Sequence, residues 1–153
     1  MGLLNAFAIA GASPRICGVA FGAEDFCAEM SIRRTEEEVE LLYARSAIVT
    51  ACRAAGAEPI DSPCLEFRDL RQLEASAARA RNVGFSGKLA IHPDQIDCLN
   101  RVFAPDAHEL ARARQILEAF SSAGTGVITV DGKMVDEAVL KNARRLLAEP
   151  DVD

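Results

Sequence analysis

The sequence has few of the residues that metal clusters and base-stacking surfaces require. Tryptophan is absent, aromatic residues make up 5% of the 153 positions, and there are only two histidines. These numbers argue against a histidine-rich metal site and an aromatic platform for nucleic acid. The net charge of −6, without any basic block, also argues against nucleic acid and anionic membranes as partners.

Long apolar runs and paired cysteines are missing as well. No apolar run approaches the roughly 20 residues of a membrane-spanning helix. The apolar segment 1–12 has no basic flank before it, so it predicts a helix rather than a signal peptide. The five cysteines are odd in number, and no two have Cys-x-x-Cys spacing. This pattern favours free, mostly buried thiols in a reducing cytoplasm over a disulfide framework or a zinc knuckle.

What the sequence does contain is an alternation of short apolar runs and amphipathic segments, which is typical of a parallel α/β sheet. Strands are predicted at 16–21, 58–60 and 88–91, and helices at 3–10, 35–56, 69–84, 96–103 and 106–120. The Asp131-Gly132 pair predicts a hairpin turn, and a last helix is predicted over 139–148.

Three parallel strands after an initial helix are too few for a closed (β/α)₈ barrel, which takes about 250 residues. The pattern therefore predicts the C-terminal part of a TIM (β/α)₈ barrel over residues 1–120. Residues 121–153 are predicted to form a C-terminal hairpin–helix extension or lid segment. The strands that would complete the barrel are expected upstream of Met1.

Reactive groups in such folds lie where strands end and loops begin. The first strand runs into Gly22-Ala23-Glu24-Asp25, which is predicted to start a loop. Glycine lets the backbone approach a ligand closely, adjacent N–H groups bind a carboxylate, and an aspartate beside them can hold Mg²⁺. The competing interpretation is that Asp25 caps a turn.

Residues near the other strand ends also have two interpretations. Asp61 either orients a substrate or forms an Asx-turn before Pro63. His92 either contacts a phosphate or thioester carbonyl or is a hydrogen-bonded structural group. Lys88 precedes the third predicted strand and is expected on the solvated surface at the opposite end.

Three further charged motifs complete the candidates. Asp136 precedes the last helix and fits an N-cap. The Arg33-Arg34 pair either attracts a CoA phosphate or is solvated. The run Glu36-Glu37-Glu38 is predicted to be the favourable acidic first turn of a helix that Thr35 and Glu38 cap, and not a site.

Several motifs together resemble the citrate lyase beta-subunit family, the acyl-CoA ester lyase branch of the HpcH/HpaI aldolase superfamily. The resemblance covers nearly all of the chain. The motifs that carry it are Leu4-Asn5-Ala6 with Ala12-Ser13-Pro14-Arg15, Gly18 to Asp25, Ala54-Ala55-Gly56 to Ile60-Asp61, Gly84-Phe85-x-Gly87-Lys88, Ile91-His92-Pro93-x-Gln95-Ile96 and Gly132 to Asp136.

The resemblance implies a barrel enzyme that uses Mg²⁺ to cleave or form a carbon–carbon bond next to a thioester. Asp25 matches the family's metal-binding aspartate. Gly22, Ala23 and Glu24 match the segment whose backbone N–H groups hold the carboxylate of a 2-oxo acid. The His92 loop lies where acyl-CoA comes close, and Asp136 matches the general acid/base, which in related lyases reaches into a neighbouring subunit.

The expected reaction cleaves a hydroxyacyl thioester of the malyl-CoA, citramalyl-CoA or citryl type into a 2-oxo acid and an acyl thioester. The carrier is either CoA or an acyl-carrier protein. A homo-oligomer is expected, in the cytoplasm, without nucleic acid or membrane as partner.

The sequence departs from the family in one respect. The glutamate that is the other metal carboxylate, and the substrate-contacting arginine, match no motif between Met1 and Asp153. The chain is therefore expected to be a fragment with little or no activity alone, requiring the N-terminal half. Two alternatives stay open: a malyl-CoA-type thioesterase on the same barrel, and an inactive fragment that only associates with a partner.

Overall fold

We analysed a computed structural model that describes residues 2–123 and 127–148. The described residues divide into two compact units, with the boundary between Phe103 and Ala104. The first unit is an α/β layer structure, and the second is built from two helices and a hairpin.

A three-stranded parallel sheet organises the first unit, as the alternating pattern predicts. Its strands are β1 (Gly18–Ala20), β2 (Glu58–Asp61) and β3 (Gly87–Lys88), with β2 in the middle. In the register, Asp61 lies opposite Lys88. The third strand is shorter than predicted: the Leu89 N–H still donates to the Asp61 carbonyl (3.0 Å), but the chain then leaves the sheet.

Five α-helices accompany this sheet in the first unit. They are α1 (Ala6–Ala10), α2 (Ala23–Met30), α3 (Leu42–Ala55), α4 (Leu70–Val83) and α5 (Ile96–Phe103), and short 3₁₀ turns cover Leu3–Asn5, Val39–Leu41 and Pro93–Gln95. Helix α4 confirms its predicted caps. The Asp69 carboxylate accepts from the Arg71 and Gln72 N–H groups (3.0 and 3.1 Å), and Gly84 ends the helix with φ +110°.

Two predictions for the segment between β1 and α3 are wrong. The residues after Gly22 form helix α2 instead of a loop, because Ala23 and Cys27 are buried on one side of it in the core. The next helix starts at Leu42 rather than near Thr35, because Glu38 adopts a left-handed backbone (φ 55°). Thr35 is bonded through its N–H and hydroxyl to Glu40 (2.9 and 2.7 Å) and not to Glu38.

The core of the first unit lies mainly between the sheet and the helices. Helix α3 contributes a buried stripe to it, and Phe21 and Phe85 contribute rings from the ends of strands. A second buried group joins α4, α5 and the segment after β2 and consists of Cys64, Leu73, Ala77, Cys98 and Leu99. These two groups fix the strand ends, where the candidate site residues lie.

The second unit confirms the predicted hairpin and last helix. Its elements are α6 (Ala107–Ala123), β4 (Ile128–Val130), β5 (Lys133–Val135) and α7 (Glu137–Ala148). Asp131 and Gly132 both have positive φ (50° and 73°), as a two-residue hairpin turn requires. The small residues at 121–126 predict a linker, but α6 continues to Ala123, and residues 124–126 lie outside the described residues. The predicted division after residue 120 therefore falls inside α6.

All five cysteines are free, and four of them are buried. Burial raises the pKa of the thiols of Cys27, Cys52, Cys64 and Cys98, which makes them poor nucleophiles. No helix in the described ranges is long and apolar enough to cross a bilayer.

Candidate active site

The Gly22–Asp25 segment forms the first turn of α2, directly after β1. The first N–H groups of a helix have no intrahelical acceptor, so those of Ala23 and Glu24 remain available to an anion. Gly22 lies close to Asp25: a Cβ built on Gly22 would lie 3.2 Å from the Asp25 Oδ2. A larger residue at position 22 would therefore crowd the carboxylate of Asp25.

The two acids of this turn differ in their partners. Glu24 forms a short ion pair with Arg34, whose guanidinium also contacts Glu38 (3.0 Å) and Glu40 (3.6 Å). Asp25 is exposed and forms no hydrogen bond or ion pair within the described part of the chain. The carboxylate of Asp25 is therefore the one that a ligand can take without breaking an existing contact.

A buried ionic network lies at the ends of the two other strands. The Arg45 guanidinium donates two hydrogen bonds to the Asp61 carboxylate, at 3.0 and 2.9 Å. Lys88 Nζ donates to the same carboxylate at 2.7 Å. Asp61 is completely buried, and the side chains of Arg45 and Lys88 are 2% and 1% exposed. The bidentate geometry is the arrangement in which an arginine binds a carboxylate most strongly.

Glu38 extends the network toward α4. It accepts from Arg45 Nη1 (3.0 Å), from the Ser76 hydroxyl (3.0 Å) and from Arg79 Nε (3.3 Å). Burial raises the pKa of Glu38, but the hydrogen bond and the positive charge of Arg45 outweigh that effect and lower it to about 2. Glu38 is therefore an ionised structural group.

The network corrects three interpretations of the sequence. Lys88 is buried at the carboxyl end of β3, because the strand ends there rather than beginning there. Asp61 is neither exposed to a substrate nor part of an Asx-turn, since both its oxygens accept from buried cations. Glu38 belongs to no helical first turn. Arg45 was missed altogether, although it lies four residues after Leu41 and three before Ile48, in phase with the buried stripe.

His92 follows β3 and caps the 3₁₀ turn Pro93–Gln95. Its Nδ1 accepts from the Asp94 N–H at 3.2 Å, and its ring stacks on Phe67 with centroids 5.1 Å apart. The side chain is 40% exposed. These contacts agree with the interpretation of His92 as a hydrogen-bonded structural group. Its exposed fraction also leaves the ring accessible to a ligand, as a contact with a phosphate or thioester carbonyl requires.

Asp136 belongs to the second unit, where it is half-buried. Its Oδ1 accepts from the Val139 N–H at 3.0 Å, and its carbonyl accepts from Leu140 N, so it is the N-cap of α7. The predicted cap is confirmed. A role in proton transfer stays a prediction.

The carboxyl ends of parallel strands meet at one edge of a sheet, so the Gly22–Asp25 turn, Asp61 and His92 follow three neighbouring strands at the same edge. No cluster of three or more His, Cys, Asp or Glu side chains in the described residues is placed to hold a metal. Asp25 fits a single ligand of Mg²⁺, which takes one or two protein carboxylates and keeps several waters. A side chain at position 22 would crowd the Asp25 carboxylate, and the glycine avoids this.

The first unit also has an open pocket of about 480 Å³ beside this edge. Glu24, Arg34, Glu38, Ser76 and Arg79 are among its lining residues, whereas Asp25 and His92 are not. Most of its charged groups already bind one another. We therefore place the candidate site at the Asp25 turn rather than in the pocket.

The comparison with known families decides the relationship. The model of the HpcH/HpaI aldolase/citrate lyase family matches residues 1–93. The chain belongs to this family. Among similar HpcH/HpaI proteins, citrate lyase subunit beta of Escherichia coli strain K12 is 37% identical over 155 residues, which are 99% of this chain and 51% of that protein. L-malyl-CoA/beta-methylmalyl-CoA lyase of Cereibacter sphaeroides is 34% identical over 171 residues, covering 99% of this chain and 54% of that protein.

Solved structures of the HpcH/HpaI family share the fold. Mycobacterium tuberculosis CitE, in complex with magnesium, acetoacetate and coenzyme A, matches 95% of this chain and 56% of its own, with a TM-score of 0.80 and 33% identity. A citrate lyase from Burkholderia xenovorans LB400 matches 95% of this chain and 48% of its own, with a TM-score of 0.83 and 29% identity. The chain spans about half the length of the curated relatives that it matches.

Proposed function

We propose that the chain is part of a Mg²⁺-dependent carbon–carbon lyase that cleaves a hydroxyacyl-CoA, of the malyl-CoA, citramalyl-CoA or citryl type, into a 2-oxo acid and an acyl thioester. The observation that carries the proposal is the exposed Asp25 carboxylate, which has no partner among the described residues, beside the first N–H groups of α2. Family membership supports it, because the similar proteins are named citrate lyase subunits and malyl-CoA lyases.

The proposal assigns one role to each candidate residue. Asp25 holds the metal, and the N–H groups of Ala23 and Glu24 bind the carboxylate that becomes part of the 2-oxo acid. His92 contacts the thioester end of the substrate. When bound, Mg²⁺ supplies Lewis-acid polarisation of the substrate hydroxyl and carboxylate.

The chain's own residues move the proton. Asp136 removes the proton of the substrate hydroxyl as general base. The electron pair of that O–H bond forms the carbonyl of the 2-oxo acid, the carbon–carbon bond breaks, and its pair passes into a thioester enolate. The enolate needs hydrogen-bond donors nearby, and protonation then gives the acyl thioester.

We also propose that the three parallel strands belong to a TIM barrel that further strands complete. Within the described residues, β1 and β3 each pair on one side only, with β2. Parallel sheets occur almost only where both faces are covered, and open edges invite pairing. Because Asp25 is one metal carboxylate and the second matches no motif of the sequence, we expect a further segment or chain to supply it.

Turnover assays with malyl-CoA and citramalyl-CoA, with and without Mg²⁺, test the proposal. The purified chain is expected to give little turnover alone, to bind acetyl-CoA, and to gain Mg²⁺-dependent cleavage when the N-terminal half of a relative is added. Failure to gain activity together with failure to bind acetyl-CoA contradicts the lyase site. Full turnover by the chain alone contradicts the requirement for a second half.

One observation favours a second candidate, a fragment that associates without catalysis: the described residues bring no cluster of metal-ligating side chains to the sheet edge. Such a fragment would bind its partner and show no Mg²⁺-dependent turnover in the complex. Product analysis separates the thioesterase alternative, since a lyase releases a 2-oxo acid and a hydrolase releases a free hydroxy acid.

A further inference from the structure

Gln95 ties together the two loops that follow β2 and β3. Its side chain is completely buried. The amide Nε2 donates to the Cys64 carbonyl at 3.1 Å, and the amide Oε1 accepts from the Ile91 N–H at 2.8 Å. One side chain therefore joins a carbonyl of the loop after β2 to an N–H group beside His92.

A second contact between the same loops is the stack of Phe67 on His92. The rings are 26° from parallel, and the Arg68 guanidinium lies 5.3 Å from the Phe67 centroid. The Gln95 N–H also donates to the His92 carbonyl at 3.1 Å. The backbone of His92 is thus held by Gln95, and its ring by Phe67.

The hydrogen bond at His92 Nδ1 determines which ring nitrogen carries the proton. Because Nδ1 accepts from the Asp94 N–H, it carries no proton, and the neutral ring has its proton on Nε2. The charged groups facing the ring are the Asp94 carboxylate, 3.5 Å from Nδ1, and Arg68 across Phe67. No described residue accepts from Nε2, so its N–H is free to donate.

We propose that Gln95 is a positioning residue: it holds the loop of His92 so that the Nε2–H group is presented to a ligand as a hydrogen-bond donor. The acceptor is the carbonyl oxygen of the CoA thioester, and this identity rests on the proposed function. The tautomer of His92 and the two hydrogen bonds of the Gln95 side chain do not depend on it. A hydrogen-bond donor suits a carbonyl whose oxygen gains negative charge, because it stabilises that charge.

The amide of Gln95 is matched to its two partners. A glutamate at the same position would accept from Ile91 but would face the Cys64 carbonyl with a negative charge. Gln95→Glu therefore keeps the hydrogen bond from the Ile91 N–H and loses the one to the Cys64 carbonyl, and Gln95→Ala removes both. Gln115 offers a control for loss of a glutamine amide away from the site: it is exposed in the second unit and donates to Asp131 Oδ1 at 3.3 Å.

The first experiment is a long-range ¹H–¹⁵N spectrum of the imidazole nitrogens. The chain has two histidines, and the exposed His108 on α6 is an internal reference. For the uncharged rings, we expect His92 as the Nε2-protonated tautomer, because Nδ1 accepts from Asp94, and His108 as an average of both tautomers. An averaged His92 spectrum, equal to that of His108, would overturn the assignment.

The second experiment repeats the spectrum and the binding of acetyl-CoA with variants whose fold is checked by circular dichroism. In Gln95→Ala, we expect the His92 signals to move toward those of His108 and the Kd for acetyl-CoA to rise about ten-fold, the effect of one lost hydrogen bond. Gln115→Ala should change neither. An unchanged tautomer and affinity in Gln95→Ala would refute the positioning role.

Because Gln95 is buried, Gln95→Ala could destabilise the fold. A second variant therefore leaves Gln95 unchanged and alters the other contact between the two loops. Phe67→Leu keeps an apolar side chain at a partly exposed position and removes only the ring stack. We expect the same direction of change in both readouts. If the wild-type tautomer is fixed and depends on Gln95 but acetyl-CoA does not bind, the positioning role is supported and the proposed lyase function is contradicted.

Discussion

Two aspartates follow neighbouring strands of one sheet, and the structure treats them in opposite ways. Asp61, at the end of β2, is fully buried and accepts three hydrogen bonds from Arg45 and Lys88. Asp25, in the turn after β1, is exposed and has no partner in the described residues. Both residues are aspartates at the same edge of the sheet, but Asp61 ends β2, where α3 and β3 bring it two cations, whereas Asp25 lies in the first turn of α2.

The comparison separates charges that hold the fold from charges that are available to a ligand. A carboxylate whose lone pairs are occupied by two buried cations cannot take a metal without leaving those cations unpaired. An exposed carboxylate loses only water when it binds a metal. We therefore expect that removing a carboxylate at this edge lowers the free energy of unfolding most where the carboxylate is least available to a ligand.

The largest effect is expected for Asp61→Asn. The substitution keeps the size of the side chain but leaves Arg45 and Lys88 without their common anion. Breaking a buried ion pair from one side costs about 3–5 kcal/mol. The free energy of unfolding, measured by urea titration with circular dichroism, should fall by that amount.

A double variant checks that the loss comes from unpaired cations. Lys88→Met removes one of the two cations, so Asp61→Asn should cost less in that background than in the wild type. If Asp61→Asn lowers the free energy of unfolding equally in both backgrounds, Lys88 and Asp61 are not coupled. The claim that Asp61 serves the fold through its cations would then be wrong for Lys88.

A second large effect is expected from pH through Glu38. The pKa of Glu38 in the folded chain is about 2, below its ordinary value of 4.5. A lowered pKa stabilises the fold above the unfolded value and loses that contribution as the pH falls toward the folded value. The shift corresponds to about 3 kcal/mol, lost between about pH 4.5 and pH 2.

The Glu38→Gln variant provides the comparison for this titration. It has no carboxylate at position 38, so its free energy of unfolding should depend less steeply on pH between pH 4.5 and pH 2. Parallel pH curves for the two proteins would show that other carboxylates cause the acid sensitivity.

Much of the fold is predictable from the sequence because local signals and burial agree. The hairpin at Asp131-Gly132, the caps of α4 and the three parallel strands all follow from turn chemistry and apolar runs. Helix α2 was missed because its acidic first turn resembles a loop. The start of α3 was missed because Glu38 serves a tertiary network at the expense of helical geometry.

The residues at the sheet edge also differ in how far the sequence predicts them. The positions of Asp25 and His92 after strands, and of Asp136 at a helix start, follow from local motifs, whereas their chemical roles stay predictions. The Arg45–Asp61–Lys88 network joins residues far apart in the sequence. The strand register brings Asp61 beside Lys88, and the packing of α3 adds Arg45; no short motif encodes either arrangement.

A smaller effect is expected for Asp136, which has a structural contact as well as a proposed chemical role. Asp136→Ala removes the cap of α7 and should cost about 1 kcal/mol. Asp136→Asn retains a good capping side chain, so it should keep the stability but lose the proposed base. Equal turnover of Asp136→Asn and wild type in the completed enzyme would exclude the residue as base.

The smallest effect on stability is expected for Asp25→Asn, because the side chain has no partner to lose. We expect a change of about 0.5 kcal/mol or less, equal to that of Asp97→Asn, another exposed acid in the first turn of a helix. Mg²⁺ should raise the melting temperature of the wild type and of Asp97→Asn, since a ligand of the folded state stabilises it, but not of Asp25→Asn. A response to Mg²⁺ that survives Asp25→Asn would place the metal elsewhere, and a large loss of stability would show that Asp25, like Asp61, serves the fold.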